Sequence, residues 1–203
     1  MAEIGLFPLQ LVLLPTERVP LHIFEPRYKE LIGECLEQDS EFGLVLEDED
    51  GRREIGTRAA VVEVLQVFED GRMNVIVEGR DRFRLVDLTE GREFLTGEVE
   101  PVEDEVDAPQ ADEIDAALAV FRRLVEVAES DVDEPDAGAP TLSFELAARV
   151  DFGHELKQEI LELRSERRRL QRLVEILGRA VEAMTLEKEV RERASGNGKV
   201  EAR

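Results

Sequence analysis

Nine residues, PLHIFEPRY from Pro20 to Tyr28, concentrate side chains that could do polar chemistry. They hold the only tyrosine, one of the two histidines, and Glu25 and Arg27 on either side of Pro26. Grouped on one surface they would make a catalytic cluster, but a strand or loop aims residues three apart in different directions. Neither His22 nor His154 sits in an H-x-x-x-H or C-x-x-C frame, so no metal is expected. Cys35 falls on the apolar face of a helix pattern, where a thiol is inert; its nearness in sequence to His22 leaves a Cys/His pair as the nucleophilic alternative. The serines, Ser40, Ser130, Ser143, Ser165 and Ser195, form no G-x-S-x-G elbow. GNGKV, from Gly196 to Val200, fails as a phosphate loop. Arg193 stands where that pattern needs glycine, and Val200 where it needs serine or threonine. No cofactor and no catalytic residue are expected.

The elements that must position these side chains fall into two compositional parts. With 42% apolar and 36% charged residues the chain is globular rather than disordered, and 203 residues can bury a substantial core. One cysteine excludes an internal disulfide and fits a reducing, cytoplasmic setting. The apolar opening from Ile4 to Leu14 carries Glu3 and Pro8 and is not read as a signal peptide. No stretch reaches the length of a membrane helix. The net charge of −22 lies in the first two thirds: residues 1–100 carry −12, residues 101–140 carry −11 and residues 141–203 carry +1. Such a surface repels phosphate backbones, so neither nucleic acid nor membrane is an expected partner.

Strand signals fill the first hundred residues. FGLVLE (Phe42–Glu47) is a short apolar run, and AAVVEVLQVF (Ala59–Phe68) is rich in β-branched residues. A turn at Glu69–Gly71 joins it to the alternating RMNVIVEG (Arg72–Gly79) as a hairpin. DRFRLVDL and REFLTGEVEPV read as two more strands, giving a small barrel or sandwich. A helix over Tyr28–Gln38 would present Leu31, Ile32, Cys35 and Leu36. Glu103–Asp112 reads as an acidic linker, and Asp112–Glu129 as an amphipathic helix with apolar residues at three- and four-residue spacing. Ser130–Pro140 breaks the pattern. Leu142–Val150 is a short helix, and Leu156, Ile160 and Leu163 line the next. Ser165 is placed as the N-cap of a long helix whose stripe is Leu170, Leu173, Leu177, Ala180 and Met184. The basic run from Arg164 to Arg172 is read as a solvated face paired with neighbouring glutamates. The expected division is 1–102 β-rich, 103–112 linker, 113–194 helical and 195–203 a fraying tail.

LFPLQLVLLPTERVPLHIFEPRYKELI, from Leu6 to Ile32, resembles the opening of the Lon protease amino-terminal, or substrate-binding, domain family. Its most recognisable features, an lFPL strand and a Pl.iFEpRY segment, stand here at Leu6–Leu9 and Pro20–Tyr28. The similarity continues through FGLVL, IGTRAAVVEV, DGRMNVIVEGRDRFRL and GEVEPV. In the helical half, Lys157–Gln158, Leu161–Glu162 and Arg169–Leu170 fit the family pattern. The 203 residues contain no Walker motif and no serine/lysine protease module, so the resemblance is to a free-standing form without enzymatic activity. It implies an α+β fold, a PUA-like β pseudo-barrel followed by a helical bundle, and a role in recognising polypeptides.

The leading expectation is therefore a non-catalytic protein that binds unfolded or extended polypeptides as adaptor or holdase, with a separate protease or chaperone as a further partner. Its expected peptide-binding residues are Leu14, Pro15, Val19 and Pro20 in a partly exposed loop. His22, Phe24, Glu25, Pro26, Arg27 and Tyr28 are read as structural signature residues, with Ile23 and Phe24 anchoring the core. The alternative is a small-molecule or enzymatic site in the barrel mouth built from His22, Glu25, Arg27, Tyr28 and Arg80; RNA binding is a third.

Overall fold

The computed structural model describes residues 2–196. It has an α+β fold whose strands come first and whose longest helices come last. The strands are β1 (Ala2–Leu9), β2 (Arg18–Ile23), β3 (Phe42–Asp48), β4 (Gly51–Arg52), β5 (Ile55–Val67), β6 (Met73–Thr89) and β7 (Thr96–Pro101). The helices are α1 (Pro26–Gln38), α2 (Ala111–Ala128), α3 (Leu142–Ala148), α4 (His154–Glu162) and α5 (Glu166–Gly196). Beyond Gly196, the expected tail lies outside the described residues.

The chain forms two compact units, and they do not follow chain order. One comprises residues up to Val106 together with Ala147–Arg164; the other comprises Asp107–Leu146 and the residues from Ser165 onward. A contiguous split near residue 102 would place α4 with the helices, yet α4 counts with the sheet. Polar anchors show why. Arg82, buried on β6, donates to the carbonyls of Leu161 and Leu163 at 2.7 and 2.8 Å and pairs with Asp104. It thus satisfies carbonyls that the C-terminus of α4 leaves without helical partners. Gln158 donates to the Ile55 carbonyl, and Lys157 reaches the buried Glu17 carboxylate at 2.5 Å.

In the first unit the strands run β1-β7-β6-β5-β3, and β3 pairs in parallel with β1 to close the ring. Closure removes the open edges of these five strands where they pair. Inside lie Phe7, Leu13, Ile23, Tyr28, Phe42, Val75 and Val77, with a second cluster of Leu6, Val45, Phe83 and Val99. Each fully buried side chain of this kind contributes about 1.5–3 kcal/mol. The rings of Phe7 and Tyr28 stack at 3.9 Å, so the two signature stretches meet in the core. Pro26 opens α1, where its missing N–H costs nothing. Tyr28, Leu31, Ile32 and Cys35 form its buried face, at i, i+3, i+4 and i+7. Leu36, expected on that face, is exposed.

β6 runs unbroken through Gly79, where the sequence suggested two strands. A Cβ at Gly79 would lie 2.0 Å from the Leu14 carbonyl oxygen, so glycine permits a close backbone crossing there rather than ending the strand. The loop expected over Leu13–Leu21 is a loop only in its first part; from Arg18 the chain is β2, paired antiparallel with β6.

In the second unit α2 packs against α5 through Ala117, Leu118, Phe121 and Leu124 facing Leu170, Leu173 and Leu177. Ser165 caps α5, its hydroxyl accepting the Arg168 amide at 3.1 Å. The arginine run is not wholly a solvated face. Arg169 is fully buried, pairs with Glu166 at 2.7 Å, donates to Ser143 and lies 4.2 Å over the Phe144 ring.

Candidate functional site

β2, the first half of β6 and the second half of β5 form a three-stranded antiparallel extension of the ring. The β5–β6 turn closes with Gly71 at φ +78° and the Phe68 amide donating to the Arg72 carbonyl at 2.8 Å. Register shifts between Val61/Glu63 and Val64/Gln66 mark two bulges. They put Val61, Val64 and Val67 opposite Val77, Val75 and Met73, a three-residue spacing in place of the usual two. Bulges increase local twist, and the end of β5 outruns the core it began in.

The result is an apolar surface in water. Val67 is 63% exposed, Leu65 53% and Val64 40%. Phe24, just past the end of β2, is 59% exposed, with His22 stacked on it at 5.9 Å. His22 also meets Phe68 edge-on at 6.1 Å and donates through Nδ1 to Asn74 at 2.6 Å. Ladder partners share a face, so Val64 and Val67 lie on the side of Val75 and Met73, whereas His22, opposite Asn74, and Phe24 stacked on it lie on the other side of the sheet.

Phe24 is therefore not a core anchor. Strand alternation turns Ile23 inward, where it is buried, and leaves Phe24 outside. Leu14 is also not exposed. It is fully buried, its amide donating to Glu17 at 2.9 Å and its carbonyl crossing Gly79. Pro15 and Val19 are half-buried, and Pro20 is exposed on β2. Glu25 and Arg27 pair at 2.8 Å on the surface, and Arg27 lies 4.5 Å over the Tyr28 ring. Burial pushes the Tyr28 hydroxyl above its usual range. Arg80 pairs with Glu78 at 2.5 Å. Residues offered for a barrel-mouth site thus face different surroundings: His22 the rings of Phe24 and Phe68, Tyr28 the core, Arg80 a glutamate. Cys35 is buried, and its thiol is pushed up by burial. Among the described residues no cluster of three or more His, Cys, Asp or Glu is placed to hold a metal, and no helix is long and apolar enough to cross a membrane.

Residues 3–179 match the ATP-dependent protease La (LON) substrate-binding domain. The chain belongs to that family. A crystal structure of a Lon N-terminal domain protein from Xanthomonas campestris superposes with TM-score 0.69 at 25% identity, covering 86% of this chain and 98% of that one. The N-terminal domain of a Mycobacterium avium complex Lon protease shares the fold, with TM-score 0.66 at 19% identity, over 87% of this chain and 98% of that one. Among curated relatives, Lon protease 2 of Myxococcus xanthus is 27% identical over 88% of this chain, and the Lon protease of Parabacteroides distasonis 30% identical over 60%. The chain spans 24% and 16% of their lengths respectively.

Two features of this Lon domain escaped the sequence reading. The exposed end of β5 is one, and its signal was present: valines three apart at 61, 64 and 67 break the strand period and imply bulges. The other is the buried pair Glu17–Lys157, whose members lie 140 residues apart and share no local pattern.

Proposed function

We propose that this chain is a non-catalytic polypeptide-binding domain that holds extended apolar segments on the exposed end of β5, at Val64, Leu65 and Val67. The exposed apolar row at the β5–β6 hairpin carries the reading, and membership of a substrate-binding domain family supports it. Val19 on β2 lies on the same face of the sheet and Pro20 on the other, while Leu14 and Pro15 fix the turn that leads into the strand. An adaptor or holdase role, with a protease or chaperone taking the bound chain onward, follows from the same chemistry. The acidic surface favours polypeptide over nucleic acid.

The partner is held by side chains more than by strand addition. β2 pairs with β6 alone among the described strands, but it carries Pro20, which has no N–H to offer. The two bulges twist the edge of β5. Prolines and bulges are the devices by which sheets discourage an added strand.

The test is fluorescence anisotropy with labelled extended peptides of graded apolarity. Leu65→Ser with Val67→Ser should weaken binding about thirtyfold, since each loses roughly 1 kcal/mol of apolar burial. Unchanged affinity in that variant, with a folded far-UV spectrum, would move the site elsewhere.

A further inference from the structure

β1 is paired on one side at a time. Ala2–Gly5 pair with β7 and Leu6–Leu9 with β3, so the first half of the strand has no neighbour on its second side. Leu6 fixes which groups are left over: its amide donates to the Leu95 carbonyl at 2.7 Å, toward β7. Backbone groups alternate sides along an antiparallel ladder, so Ala2 and Ile4 also face β7, while Glu3 and Gly5 face away. The amide and carbonyl of Glu3 and the amide of Gly5 therefore point along an open edge. Unlike the end of β5, this edge carries neither proline nor bulge between Ala2 and Gly5.

The edge lines a cavity of about 530 Å³, within the range of roughly 300–1,000 Å³ usual for ligand sites. Leu31 and Phe94 give it an apolar part and crowd Gly5, where a Cβ would lie 2.3 Å from Leu31 Cδ1. Its charged lining is acidic in balance. Arg92 is held by Glu34 at 2.5 Å, and Arg58 lies 3.9 Å from Glu41. Glu3 and Asp39 line the same cavity, and no hydrogen bond or ion pair among the described residues engages either carboxylate. Glu3 also stands directly opposite Glu98 on β7, a like-charge pairing that costs stability and that a cation at Glu3 relieves.

We infer that the first half of β1 is a strand-addition site: an extended polypeptide segment lies along the open edge and places a lysine or arginine in the cavity with Glu3 and Asp39. Backbone hydrogen bonds to Glu3 and Gly5 give affinity, and the cavity gives the preference for a basic side chain. A second copy of this chain is the poorer occupant, because its own β1 brings Glu3 toward Glu3 between two molecules of net charge −22. The site is separate from the exposed end of β5, since Val64, Leu65 and Val67 do not line this cavity.

The test is amide hydrogen exchange on the full chain, with and without the peptide acetyl-Thr-Val-Thr-Lys-Thr-Val-Thr-amide. The Glu3 and Gly5 amides should become protected, while that of Ile4, already turned toward β7, keeps its rate. Replacing the peptide's lysine by glutamine should weaken binding about fivefold, and Glu3→Gln with Asp39→Asn should erase that difference. Of two peptides N-methylated on alternate residues, the one whose methyl groups face β1 should bind about tenfold more weakly than the other. Leu65→Ser with Val67→Ser should leave the protection at Glu3 and Gly5 unchanged, so this site and the β5 surface fail separately. Absence of binding, or binding that leaves the Glu3 and Gly5 rates unaltered, overturns strand addition. Equal affinity for the lysine and glutamine peptides overturns the charge preference. Sedimentation showing a dimer in which the same two amides are protected without peptide makes a second copy the occupant and ends the proposal.

Discussion

Ile23 and Phe24 are adjacent, similar in apolarity and opposite in consequence. Ile23→Ala empties a buried position and should cost about 2–4 kcal/mol in denaturant unfolding. Phe24→Ala removes an exposed ring and should change stability by less than about 0.5 kcal/mol in the same measurement. A large loss of stability at Phe24 would restore it to the core, where the sequence pattern had put it. That pattern misled because Ile-Phe beside a proline suggests a buried cluster, whereas strand parity decides which of two neighbours points inward. Thr16 shows a different strain. Leu14, Pro15, Thr16 and Glu17 form a turn closed by the Glu17 amide on the Leu14 carbonyl at 3.1 Å, with Thr16 at φ +70°. Proline suits the second position of such a turn, but the third wants glycine. A β-branched residue there costs about 1–2 kcal/mol. The Glu17 carboxylate holds the turn closed by accepting the Leu14 amide. Thr16→Gly should therefore raise stability by about 1 kcal/mol, read as a higher denaturant midpoint at unchanged slope.

At the scale of elements, what was legible was what obeys a local rule. α2 was visible from its apolar spacing, α5 from Ser165 as cap, and the β5–β6 hairpin from Gly71. β2 and the continuity of β6 were not, because their boundaries depend on a backbone crossing between Leu14 and Gly79 that no local pattern encodes. The start of α2 offers a pH-dependent test. Glu113 accepts the Gln110 amide at 2.7 Å, and also meets Gln171 and Arg167. The Gln110 amide is the largest influence holding its carboxyl below the ordinary 4.5, followed by the Gln171 and Arg167 contacts. A carboxylate depressed in the folded state binds fewer protons folded than unfolded, so its contribution is complete above the unfolded value. As pH falls through that value toward the folded one, the contribution is lost. Glu113→Gln should lower stability at neutral pH and flatten its decline on acidification below about pH 4.5, because the group no longer titrates. Denaturation midpoints collected from neutral to acidic pH would show parallel curves if Glu113 had no such role.

For the whole molecule, the discontinuity of the first unit is the physical fact with the widest reach. Composition changes near residue 102, and a contiguous boundary there was the natural expectation. The chain nevertheless returns residues 147–164 to the sheet unit after an excursion of 40 residues, 107–146. The reason lies in groups that residues 2–106 bury but cannot satisfy alone. Arg82 needs the carbonyls of Leu161 and Leu163, and Glu17 needs Lys157. Removing one partner of a buried ion pair costs about 3–5 kcal/mol, because the other charge stays out of water unpaired. Domain stabilities are about 5–15 kcal/mol, so loss of the Glu17–Lys157 pair, of the two hydrogen bonds from Arg82 to α4 and of the apolar face of α4 exhausts most of that margin. A chain ending at Val106 should therefore lack cooperative unfolding and show poorly dispersed amide resonances. Residues 2–106 joined to 147–164 through a flexible linker of about 15 residues should recover a sharp transition and dispersed resonances. If the shorter chain unfolded as cooperatively as the joined one, Arg82 and Glu17 would be satisfied without α4, and the sheet would be an independent domain after all.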